Sequence, residues 1–88
     1  MDTKRKASLV AAAHHLKPVV MVGQKGLTPN VLAETDQALT AHELIKIKIG
    51  ADDKDERIAI AEQICTELQA EMLRMIGNIA IIYRKNPE

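Results

Sequence analysis

Short apolar runs suited to strands alternate with longer segments of helical period along this chain, and that alternation admits few folds. Val19-Val20-Met21-Val22 is a continuous run rich in β-branched residues, the pattern of a strand buried on both faces. Leu44-Ile45-Lys46-Ile47-Lys48-Ile49 alternates after Leu44, which puts three isoleucines on one face and two lysines on the other. Gly50 ends that strand. Two more strands, at about 72–76 and 79–84, flank Gly77-Asn78, a two-residue hairpin signal because both residues tolerate positive φ.

The intervening segments read as helices. Asp2 or Thr3 can cap a first one running to about Leu16, with Leu9, Ala12, Ala13 and Leu16 at helical spacing, before Lys17-Pro18 stops it. Thr28-Pro29 opens a second: the hydroxyl accepts an orphan N–H, and proline at the first helical position loses nothing. Val31, Leu32, Thr35, Ala38 and Leu39 form its inner face, with Glu34, Asp36 and Gln37 outside. Asp53 and Glu56 are spaced as a capping box for a third helix. Its stripe is Ile58, Ala61, Ile64, Cys65 and Leu68, with Arg57, Glu62, Gln63, Glu67 and Gln69 outward. The order α-β-α-β-α-β-β predicts an α/β fold, a two-layer, four-stranded mixed sheet with three helices, as one domain over residues 1–88. The place of the first helix relative to the sheet stays open.

Composition narrows the function classes. Tyr83 is the only aromatic residue, so binding modes that stack bases on aromatic rings lack their platform. Cys65 is the only cysteine, which excludes an internal disulfide and any multi-cysteine metal site, and suits a reducing cytoplasm. There is no continuous apolar run of signal-peptide or membrane-span type, so a cytoplasmic protein without membrane contact is expected.

Twelve bases balance twelve acids, but the signs sort by segment. Residues 1–25 carry a net +4, 26–45 carry −3, 46–58 cancel, 59–73 carry −3 and 74–88 carry +2. The expected result is a basic surface made by the first helix, the Gly23–Gly26 loop and parts of the sheet, with the acidic helices facing away.

Catalytic chemistry is poorly supplied. Cys65 lies in an apolar stripe, as a packed thiol does. His14 and His15 are adjacent on a helix and point about 100° apart, which suits no shared metal ion. Asp52, Asp53, Asp55 and Glu56 lack the ligand spacing and glycine of a calcium loop. Neither a catalytic site, a metal site nor a cofactor is expected.

Gly23-Gln24-Lys25-Gly26 joins a strand to a capped helix. Two glycines three apart allow a sharp turn and the approach of another chain without Cβ obstruction. The following helix N-terminus favours an anion, and Lys25 adds a charge, which together suit a nucleic-acid phosphate. A simple strand-to-helix turn would use the same residues. Lys46 and Lys48 on one strand face, Lys4, Arg5 and Lys6 on the first helix, and Arg84 and Lys85 after the last strand supply further bases.

Leu16-Lys17-Pro18-Val19-Val20, Gly23-x-x-Gly26-Leu27-Thr28, Val31-Leu32-Ala33-Glu34, Ala38-Leu39, His42-Glu43-Leu44-Ile45-Lys46, Ile76-Gly77 and Tyr83-Arg84 resemble the CRM (chloroplast RNA splicing and ribosome maturation) domain, in its stand-alone bacterial YhbY-like form. The resemblance covers nearly the whole chain, with 50–72 matching only in pattern. It implies a fold similar to the C-terminal domain of translation initiation factor three. It also implies RNA as partner, ribosomal RNA in large-subunit precursors, bound through Gly23, Gln24, Lys25 and Gly26. Lys17 and Lys46 sit within matched motifs. Lys4, Arg5, Lys6, Lys48, Arg84 and Lys85 join the expected RNA site on charge alone. Family members can carry a longer basic tail after the position of Arg84.

The expected function is therefore a non-catalytic, monomeric RNA-binding protein of ribosome assembly, holding RNA by phosphate and shape. The competing expectation is an adaptor that docks a basic ribosomal protein on its acidic helices.

Overall fold

The computed structural model describes residues 1–87; Glu88, counted in the charge of the last segment, lies outside them. The elements are α1 (Thr3–Ala13), β1 (Pro18–Val22), α2 (Pro29–His42), β2 (Leu44–Ile49), α3 (Lys54–Leu68), β3 (Glu71–Ile76) and β4 (Ile79–Tyr83). The sheet order is β1-β2-β4-β3, with β1 and β2 parallel and the remaining pairs antiparallel. The chain is thus the α/β fold of three helices on a four-stranded mixed sheet.

The helix starts follow the local chemistry. Asp2, Thr28 and Asp53 each accept an N–H from the third residue on, namely Arg5 (2.7 Å), Val31 (3.2 Å) and Glu56 (3.0 Å). Helix α1 stops at Ala13, not Leu16, and His14-His15 form a turn in which Leu16 N–H donates to the Ala13 carbonyl. Its buried side chains are Val10 and Ala13, whereas Ala12 and Leu16 are exposed. In α3 the buried set is Ile60, Ala61, Ile64 and Cys65, and Arg57 folds inward to donate to the carbonyls of Ala51 and Asp52, both at 2.9 Å. Arg57 is therefore not an outward residue: it ties down the loop before its own helix.

The main core lies between the sheet and α2 with α3. Val20, Val22, Ile45, Ile47, Ile49, Ala80 and Ile82 from the strands meet Leu39, Ile60, Ile64 and Cys65 from the helices. Fully buried Thr35 sits in α2 and satisfies its hydroxyl by donating to the Val31 carbonyl at 2.7 Å. A smaller cluster on the other sheet face joins Val10 and Ala13 of α1 to Leu73 and Ile81, with Leu44 and Tyr83 at its margin. The two-layer body is therefore α2 and α3 on one face, and α1 covers one end of the opposite face.

Strand β1 departs from expectation. Only Val20 and Val22 are buried; Val19 and Met21 are 51% and 60% exposed, because α1 does not extend over this end of the sheet. A run of four apolar residues looks the same whether one face or both are covered, so sequence pattern alone could not separate the two cases. In the hairpin, Gly77 alone takes positive φ (58°) and Asn78 does not.

Burial has one chemical consequence at Cys65. Removal from water, reinforced by Glu62 and Glu71, pushes its thiol up to about 11. A raised acid pKa stabilises the fold below the unfolded value of 9.0, and that contribution disappears as pH rises towards 11. At pH 8 the folded protein should react with iodoacetamide about a hundredfold more slowly than the unfolded chain. Equal rates, measured by mass spectrometry, would contradict this burial.

Candidate nucleic-acid interface

The loop 23–28 leaves the sheet where β1 ends and delivers the chain to α2. Gly26 N–H donates to the Gly23 carbonyl at 3.0 Å, closing a four-residue turn with Gln24 and Lys25 exposed at its corners. The two glycines serve different purposes. Gly26 has φ +83°, a left-handed conformation that strains any side chain. Gly23 has no such φ, and a Cβ added there would meet nothing within 4 Å. Its conformation does not require glycine, and the bare backbone is turned to open space. The base of the loop is pinned by Gly50, whose N–H donates to the Val22 carbonyl at 2.8 Å. A Cβ at Gly50 would stand 3.0 Å from that oxygen, so a side chain there would crowd this close approach.

Helix α2 begins two residues after Leu27 with Pro29 in its first turn and no acidic residue there. Thr28 takes the N–H groups of Val31 and Leu32 and Pro29 has none, so what the helix start offers is its partial positive charge, which no acidic residue of the first turn offsets.

The face of the sheet shared with α1 carries the strand lysines. Register places Met21, Lys48, Ile79 and Ile76 in one row across β1, β2, β4 and β3. Pro18, Lys46, Ile81 and Arg74 form the next. These rows hold three cations and no carboxylate. Lys48 and Arg74 are exposed, while Lys46 Nζ donates to the Leu16 carbonyl at 3.1 Å and so steadies the turn after α1.

The other expected bases are scattered. Lys4, Arg5 and Lys6 are exposed on α1; Arg5 donates to the Tyr83 hydroxyl at 3.0 Å and lies 5.7 Å from the ring centre. Lys17 borders an apolar groove of about 400 Å³ with Ala12, Leu16, Val19, His42 and Leu44. Arg84 and Lys85 belong elsewhere. Arg84 pairs with Asp36 at 2.7 Å and also donates to the Leu68 and Asp36 carbonyls and to Thr40 Oγ1. That side chain locks the end of β4 to α2 and α3, and a basic residue near a chain end gave no sign of it. Lys85 borders the same α2–α3 side.

The expected separation of charge holds for the helices but not for the loop's margin. Glu34, Glu62 and Glu67 are exposed on α2 and α3, across the sheet from α1. Asp52, Asp53 and Glu56, however, line a shallow depression together with Gln24. The glycine turn thus sits at a boundary, with carboxylates on its Gln24 side. A polyanion is admitted from the lysine-bearing sheet face and repelled from the α3 side.

Among the described residues, no three His, Cys, Asp or Glu stand close enough to hold a metal ion, and no helix is long and apolar enough to cross a membrane. A bare-backbone turn at a helix N-terminus, beside two sheet rows that hold bases and no carboxylate, suits a small nucleic-acid-binding domain. The chain belongs to the CRS1 / YhbY (CRM) domain family, which matches residues 1–84. It is 44% identical over 88 residues to a Haemophilus influenzae protein named "RNA-binding protein", covering all of this chain and 89% of that one. It is 41% identical over 88 residues to "Probable RNA-binding protein PA4753" of Pseudomonas aeruginosa, covering 100% and 85%. The solution structure of the hypothetical protein SAV1595 from Staphylococcus aureus has a TM-score of 0.88 and 28% identity, over all of this chain and 92% of that one. The fold and family expected from sequence are both confirmed.

Proposed function

We propose that this chain is a non-catalytic RNA-binding protein that associates, as a monomer in the cytoplasm, with ribosomal RNA in precursors of the large ribosomal subunit. Gly23, Gln24, Lys25 and Gly26 grip the RNA backbone, and Lys17, Lys46, Lys48, Lys4, Arg5 and Lys6 supply the surrounding positive field. The observation that carries this reading is Gly23, a glycine that the turn itself does not need and whose missing side chain leaves backbone open to a partner. RNA-binding relatives over the full chain support the choice of partner. Arg84 is left out of the site because the ion pair with Asp36 employs it.

Backbone contacts make affinity salt-dependent. Titration of a large-subunit ribosomal RNA fragment at several salt concentrations should give a steep fall in affinity. Lys25→Ala should lower the slope by about 1 and weaken several RNAs about equally. Salt-insensitive binding that selects one sequence strongly would defeat the proposal.

The exposed carboxylates of α2 and α3 favour a second reading, in which that face docks a basic ribosomal protein. Charge reversal at Glu34 and Glu62 separates the two, since neither touches the loop; Asp36 is unsuitable because its loss would release Arg84. Loss of co-sedimentation with ribosomal particles in Glu34→Lys/Glu62→Lys, but not in Lys25→Glu, would favour the adaptor.

A further inference from the structure

Resting on the RNA-binding reading above, we propose that the sheet face left open by α1 is an aliphatic seat for unstacked RNA bases. The chain then reads single-stranded or looped RNA in preference to duplex. The row Met21, Lys48, Ile79 and Ile76 crosses all four strands next to the glycine loop, Met21 lying two residues before Gly23. Met21 is 60% and Ile76 47% exposed, although Ile81 in the next row is buried beneath α1. A small chain that places isoleucine and methionine on an uncovered sheet, with Lys48 between them and Arg74 beside them, offers apolar contact and positive charge on one surface.

Charge complementarity selects the occupant. Both rows lack a carboxylate, so an anionic partner is attracted over the whole patch. Nucleic acid with splayed bases matches both parts, its phosphates meeting Lys48, Arg74 and Lys25 while base faces cover Met21, Ile79 and Ile76. The outer strands stand about 14 Å apart, room for more than one base. Duplex RNA keeps its bases stacked inside and has nothing apolar to offer such a surface. Aliphatic side chains here take the part that aromatic rings play elsewhere, which reconciles a base-contacting sheet with a single tyrosine.

The test compares the full chain with Met21→Ser/Ile76→Ser, using one fluorescently labelled RNA as a single strand and as its blunt duplex. Both positions are exposed, and thermal melting with a Met21→Leu control verifies the fold. The wild type should prefer the single strand. The double variant should lose about tenfold in single-strand affinity with its salt slope unchanged, because no phosphate contact is removed. Met21→Leu should retain binding, and duplex affinity should not move. Equal wild-type affinity for strand and duplex, or full single-strand affinity in the double variant, would overturn the proposal and leave the RNA-binding reading standing. The same holds if the double variant keeps RNA affinity but loses an acidic protein partner. Failure of the wild type to bind RNA in either form would instead overturn the underlying reading.

Discussion

Gly23→Val should leave the protein folded with nearly unchanged stability and yet lower its RNA affinity by tenfold or more. The two effects separate because of the geometry at that position. Gly23 is outside the left-handed region, and a Cβ there meets no atom of the chain within 4 Å, so neither the backbone conformation nor the first carbon of a side chain opposes the substitution. Restriction of the unfolded chain even offsets part of any strain. A ligand backbone resting on the turn has no such freedom, because the branched side chain occupies the space it needs. Gly26→Val is the informative counterpart. At φ +83° a β-branched residue is strained, so this variant should lose about 1–2 kcal/mol of stability as well as affinity. Melting curves and binding isotherms on the two variants check both statements. If Gly23→Val bound RNA like wild type, the turn would be only a connector between β1 and α2.

Arg84→Ala should have the largest effect on stability, about 2–4 kcal/mol, with little effect on RNA affinity per folded molecule. Its side chain is only 19% exposed and satisfies Asp36, Thr40 and the Leu68 carbonyl at the end of α3. Removing it also loosens the segment that holds Glu43, a non-glycine residue at φ 62° between α2 and β2. Arg84 N–H donates to the Glu43 carbonyl, and Asn86 N–H donates to its carboxylate, both at 2.9 Å. A chain of this size has a total stability of about 4–13 kcal/mol, so the melting temperature should fall by roughly 10 °C or more. Asp36→Ala in the Arg84→Ala background should add little, since both remove one network. A fully additive pair would mean that the ion pair contributes nothing specific.

The elements themselves were readable because each has a local cause. Thr28-Pro29, Asp53 with Glu56, and the alternation of Ile45 to Ile49 act within a few residues, and all three behave as expected. The glycine turn was readable for the same reason. What sequence could not supply was proximity. Nothing local says that Asp52 and Glu56 come beside Gln24, that Arg84 reaches Asp36 across 48 residues, or that Lys46 holds the Leu16 carbonyl. The inner face of α1 is only half legible because Ala-rich helices carry weak patterning: Leu9 and Ala13 pack inward as expected and Val10 joins them, whereas Ala12 and Leu16 are exposed. That error and the two-faced reading of β1 share one origin. Both depend on how far α1 reaches over the sheet, and its short stripe leaves Met21, Lys48 and Ile76 open.

Amide chemical-shift mapping during titration with a single-stranded ribosomal RNA fragment tests the central claim most directly. The largest changes are expected at Gly23, Gln24, Lys25 and Gly26, extending to Met21 and Lys48, with Glu34, Glu62 and Glu67 unmoved. Shifts concentrated on the acidic faces of α2 and α3, with the Gly23–Gly26 turn silent, would contradict it.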